Sequence, residues 1–158
     1  MGNNLIGFLG WVGLTLIAAA IAAAASLDAA AFYSALVRPS WAPPSWVFGP
    51  VWTVLYVMMG LAAGLVWRAR ETRPVRAALV LFVAQLCLNA AWSWFFFGWH
   101  LGAVSFIDIV VLWVLLVVTC ILFWRANWIA GALLIPYLLW VSFAAALNFA
   151  VWRLNPLL

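Results

Sequence analysis

Five apolar runs, each close to the length needed to cross a bilayer, leave this chain few folds to adopt. They cover residues 5–27, 46–67, 77–97, 102–124 and 128–152. A spanning helix takes about 20 mostly apolar residues. Inside lipid, a helix satisfies its own backbone N–H and C=O groups, which nothing else there would do. Charge agrees with this reading. Only 6% of residues are charged, against about 25% in soluble domains. A soluble fold of this length could not cover itself with so few. The expected class is an all-α membrane protein, a bundle of five transmembrane helices, with residues 1–158 forming a single domain.

The links carry the next layer of information. Those following the second, third and fourth runs are short, and predict antiparallel neighbours in a compact bundle. The link over 28–45 is long. Pro39, Pro43 and Pro44 stiffen it into an extended segment over the bundle mouth, and Ser45 stands where it could cap the next helix. The first run has no Lys or Arg before it and is too long for a signal-peptide core, so it reads as a retained helix despite its alanine-rich end. The net charge is +4, from seven arginines and three acids. That surplus is too small and scattered for nucleic acid. Its use is orientation. Arg68, Arg70, Arg73, Arg76 and Arg125 lie on the side of the N-terminus, with Arg38 and Arg153 opposite. The predicted topology is N-terminus inside, C-terminus outside. The lipid bilayer is then the surrounding partner.

Polar and aromatic groups within the runs point to a site. Of thirteen tryptophans, Trp46, Trp67, Trp99, Trp124, Trp128 and Trp152 fall near helix ends and suit an interfacial belt. Trp52, Trp92, Trp113 and Trp140 fall deeper, where an indole N–H needs a partner or the ring a ligand. Gln85 and Asn89, spaced i,i+4, share a face that Trp92 continues. Trp140, Ala144, Asn148 and Trp152 repeat the spacing in the last run, as do Trp52 and Tyr56 in the second. Two readings stand for Gln85, Asn89 and Asn148: hydrogen bonding between helices, or the polar lining of an aromatic-walled cavity in which Ala144 leaves room for a flat ligand. Asp108 has two readings, a structural cap or pair and a place on a ligand or proton path; the structural one is favoured, since no Lys or Arg shares its depth. Gly60 and Gly64 form a GxxxG pair, for a dimer contact or for packing within one bundle.

Several chemistries lack their residues. His100 stands alone in a turn, without the cluster a metal site needs. Cys87 and Cys120 form no CxxC and read as core residues. No serine or cysteine nucleophile has a base, and no phosphate loop occurs. An enzyme built here would have to use tryptophan, a bound chromophore, or both.

One stretch is more specific. Phe32-Tyr33-Ser34-Ala35-Leu36-Val37-Arg38-Pro39-Ser40-Trp41-Ala42-Pro43-Pro44-Ser45-Trp46 leads into Pro50-Val51-Trp52-Thr53-Val54-Leu55-Tyr56. Gln85-Leu86-Cys87-Leu88-Asn89, Phe96-Phe97-Gly98, Asp108, Pro136-Tyr137-Leu138-Leu139-Trp140 and Leu147-Asn148-Phe149-Ala150-Val151-Trp152-Arg153 follow in order. The chain resembles the TspO/MBR family, the tryptophan-rich sensory and translocator proteins, from about Tyr33 to Arg153. The resemblance implies a five-helix fold, a homodimer, and binding of porphyrins such as protoporphyrin IX and haem, of sterols in some members, and of benzodiazepine-type drugs. By position it implies ligand contacts from Tyr33, Trp52, Asn89, Trp140, Phe143, Ala144 and Leu147. It requires no cofactor; porphyrin or haem enters as ligand. Some bacterial members degrade protoporphyrin in light, which would give Trp52 and Trp140 a catalytic part. Phe149 stands where the family's sterol motif has tyrosine, and the lost hydroxyl weakens the sterol case.

Overall fold

The computed structural model describes residues 2–158, with side chains from Asn4 onward; Met1 of the expected single domain lies outside them. Among the described residues all regular structure is helical. The long helices are α1 (Gly2–Ala24), α3 (Phe48–Arg68), α4 (Arg76–Ser93), α5 (Gly102–Ala126) and α6 (Trp128–Leu154). A short helix, α2 (Ala29–Ala35), interrupts the long link. Five segments are long and apolar enough to span a membrane. The chain is therefore an integral, multi-pass, all-α membrane protein.

Helix ends follow local chemistry. Asn127 caps α6 by accepting from the Ile129 and Ala130 amides at 2.9 and 3.2 Å, groups no intrahelical carbonyl can reach. The end of α4 widens into a π-type turn over Trp94–Gly98, with the Trp99 amide donating to the Trp94 carbonyl at 2.7 Å. His100 then takes a positive φ of 55°, a conformation histidine tolerates better than most side chains, and reverses the chain. The incoming end of α3 differs from the sequence reading. Ser45 makes no side-chain cap; it opens a short 3₁₀ turn (Ser45–Val47), and its carbonyl accepts from the Phe48 amide.

The long helices close into a ring in which α1 packs on α3, α3 on α6, α6 on α5, α5 on α4, and α4 on α1. This corrects the expectation that short links make every pair neighbours. The arginine-rich link of residues 69–75 carries α4 away from α3, which it barely touches, to a place between α1 and α5. The α1–α3 seam is close because both sides are small. An added Cβ on Gly60 would meet the Val12 Cα at 3.1 Å, and one on Gly64 would strike the Phe8 ring. The GxxxG pair thus packs within one bundle. Cys120 is buried as expected, but Cys87 is exposed on the outer face of α4.

Candidate functional site

Hydrogen bonds account for most polar groups inside the ring. Tyr56 donates to Oδ1 of Asn89. Nδ2 of Asn89 donates to the Tyr137 hydroxyl at 2.9 Å, and that hydroxyl donates to Oε1 of Gln85 at 2.8 Å. The string ties α3, α4 and α6 together. A second link runs from the Trp92 indole to Oδ1 of Asn148 at 2.9 Å, and from Nδ2 of Asn148 to the Gly102 carbonyl at 3.3 Å. Trp113 reaches Ser142 at 2.8 Å. An unsatisfied polar group in hydrocarbon costs several kcal/mol, so these pairings stabilise the ring order. Among the described residues five buried side-chain atoms stay unpaired: Oδ1 of Asn4, the Trp67 indole N–H, Nε2 of Gln85, Oδ2 of Asp108 and the Trp140 indole N–H. Asp108 makes neither the cap nor the pair read for it: it lies buried beyond the first turn of α5, and among the described residues no arginine comes within ion-pair distance of it.

Above this core lies a cavity of about 520 Å³ between α1, α2, α3 and α4. Tyr33, Phe48, Trp52, Tyr56, Trp92 and Phe97 form its aromatic wall. Opposite stand small residues of α1, α2 and the turn between them, among them Ala19, Ala23, Ser26 and Ala30. Volume and lining both match a small-molecule site. Burial lifts the Tyr33 hydroxyl above the ordinary tyrosine range, against the opposing pull of Arg38. That hydroxyl donates to the Pro43 carbonyl at 3.1 Å, fastening the proline segment over the mouth. The Arg38 guanidinium rests 4.8 Å from the Tyr33 ring centroid.

The structure divides the residues that the sequence grouped. Tyr33 and Trp52 line the cavity. Trp140 and Phe143 line a separate outer groove of about 580 Å³ between α3 and α6. Asn89, Ala144 and Leu147 are buried in the bundle core. Phe48 stands at the division, its ring centroid 5.3 Å from that of Tyr33 and 5.9 Å from that of Trp140.

Three features escaped the sequence reading. Phe48 opens α3, just ahead of Gly49-Pro50, an apolar position with nothing to mark it. Asn155, just past α6, clasps the lid: its Oδ1 accepts from the Val37 amide at 3.0 Å, and its Nδ2 donates to the Val37 carbonyl at 2.9 Å. An asparagine at a helix end is a capping signal, but nothing in sequence identifies a partner so far away. His100, solitary in sequence, stacks on Phe32 with centroids 4.0 Å apart and steadies α2.

Comparison with known proteins gives one consistent answer. The model of the TspO/MBR family matches residues 11–153. The chain is 47% identical over 129 residues to the tryptophan-rich protein TspO of Chlorobaculum tepidum, covering 79% of this chain and 80% of that protein. It is 40% identical over 140 residues to the protein CrtK of Rhodobacter capsulatus, covering 88% of each. It is 38% identical over 126 residues to the human translocator protein, covering 78% of this chain and 75% of the relative.

Proposed function

The chain belongs to the TspO/MBR family, and from that premise we propose that it is a membrane receptor or transport-type protein binding tetrapyrroles, protoporphyrin IX and haem foremost. The observation that carries the reading is the aromatic cavity beneath the proline lid. A flat apolar macrocycle finds indole and phenol faces on one side and small α1 residues on the other. Its ionised propionates find Arg38 at the mouth, where a guanidinium offers a planar fork of donors. Benzodiazepine-type ligands suit the same walls. Sterols suit them less, since Phe149 brings no hydroxyl and is exposed on the outside of α6. The proposal includes a homodimer, and an orientation with the N-terminus inside, which the gathering of Arg68, Arg70, Arg73, Arg76 and Arg125 at one end supports.

A second reading, light- and oxygen-dependent breakdown of protoporphyrin IX, draws on Trp52, an oxidisable ring lining the cavity. One experiment tests both. Purified protein is titrated with protoporphyrin IX in the dark, then illuminated in air. A saturable, stable bound spectrum is the expected result. Conversion to a new product only when protein is present would favour chemistry. The absence of any spectral shift would overturn tetrapyrrole binding.

A further inference from the structure

At the end of the bundle remote from the lid, a second hollow of about 630 Å³ opens to the surface. Arg70, Arg73 and Arg76 rim it. Below them the wall is apolar: Trp11 and Trp67, then Leu79, Val80 and Val83 along α4. From Arg76 to Val83 the helix descends about 10 Å at its usual rise. The hollow thus runs from a cationic rim down a greasy wall.

The charges at this end are unbalanced. Glu71 is the only carboxylate among five arginines here. It already accepts from Nδ2 of Asn4 at 3.2 Å and lies 3.7 Å from Nη2 of Arg70. Arg70 is held in place. Its guanidinium lies 4.2 Å from the Trp67 ring centroid, and its Nη1 donates to the Trp67 carbonyl at 3.0 Å. Arg73 spends one donor on the Arg125 carbonyl. Arg76 is exposed and has no carboxylate within ion-pair distance among the described residues. Orientation in the bilayer accounts for arginines at this end. It does not account for three of them rimming a hollow whose wall continues into the membrane.

We propose that this hollow binds one anionic glycerophospholipid, its phosphate on Arg73 and Arg76 and an acyl chain against Trp11, Leu79, Val80 and Val83. Arginine forks suit phosphate oxygens bidentately, and basic pockets between spanning helices are known to take anionic headgroups. A free anion would use the rim and leave the wall empty; a zwitterionic lipid would use the wall and bring no net charge to the rim. The assignment is independent of the ligand read for the aromatic cavity.

The test uses the full chain in detergent, with retained lipid counted by native mass spectrometry from equal mixtures of phosphatidylglycerol and phosphatidylcholine of identical chains. A guanidinium beside the headgroup gives roughly a fivefold preference for an anionic lipid, so two give about 25-fold. Arg76→Gln, which removes a side chain without a partner, should cut the preference about fivefold. Arg73→Gln/Arg76→Gln should bring it near unity. Arg153→Gln, at the opposite end, should leave it unchanged. Equal retention of the two lipids by the wild type would overturn the proposal, whatever the variants do. So would displacement by soluble glycerol phosphate at the concentrations at which the whole lipid competes, which would mark a free-anion site. A preference untouched by Arg76→Gln would overturn it as well.

Discussion

At the residue scale, the division of the aromatic groups by Phe48 makes Trp52 and Trp140 unequal. Trp52 faces the cavity; Trp140 faces the outer groove with its indole N–H buried and unpaired. Aromatic contacts add about 0.5–1.5 kcal/mol beyond area burial, so Trp52→Phe should weaken porphyrin binding roughly two- to tenfold. Trp140→Phe should change it little, because Phe48 stands between that ring and the cavity. Phe48→Ala removes the division and joins the two hollows. In that background a ligand reaches Trp140, and Trp140→Phe should acquire an effect comparable to that of Trp52→Phe. Tryptophan quenching titrations on the wild type and these four variants, with thermal unfolding as a folding control, measure this. Equal losses from both tryptophan variants in the native background would mean that the ligand spans both hollows without Phe48 dividing them. Photoproduct yield in the same samples tests the chemical reading, since Trp52→Phe removes the oxidisable ring while keeping apolar bulk.

At the element scale, the α1–α3 seam carries the clearest expectation. Gly60 and Gly64 meet Val12, Thr15 and Phe8 of α1 within the same chain. Gly60→Val would force its branched side chain into the α1 backbone. Overpacking of this kind costs about 1–3 kcal/mol, so the thermal midpoint should fall while the oligomeric mass in mild detergent stays that of the wild type. A selective loss of dimer with unchanged stability would return the GxxxG pair to an intermolecular role. The same seam marks where sequence stopped being informative. The five spans were legible because length and hydropathy decide them without reference to neighbours. The ring order was not, since residues 69–75 can join adjacent or separated helices equally well. Asn89 shows the same limit for the site. Its type and i,i+4 partners mark an inward face, but only Tyr56 and Tyr137, brought from α3 and α6, show both ends of its amide already engaged. Tyr33 and Trp52 line the cavity, and the stiff lid and the start of α3 that carry them are local features, legible without reference to neighbours. The α1 wall went unread because alanines carry no chemistry to notice.

At the scale of the whole molecule, the two ends differ in kind, and the difference sets the final prediction. One end carries the lid, clasped to α6 through Asn155 and to α2 through Tyr33, with Arg38 and Arg153 as its cations. The other carries five arginines, drawn together where the Arg73 guanidinium meets the Arg125 carbonyl. Positive residues in short links are retained on the inner side during insertion, so the lid should face outward and the cavity mouth open to the external side. Cysteine labelling in intact cells decides it. Cys87 and Cys120 are first replaced by alanine. Ser40→Cys then reports the lid and Thr72→Cys the arginine link, both at exposed positions. An impermeant maleimide should modify the first in intact cells and the second only after the membrane is opened. The reverse pattern would invert the molecule, turn the cavity mouth inward, and make any tetrapyrrole it accepts one drawn from inside the cell.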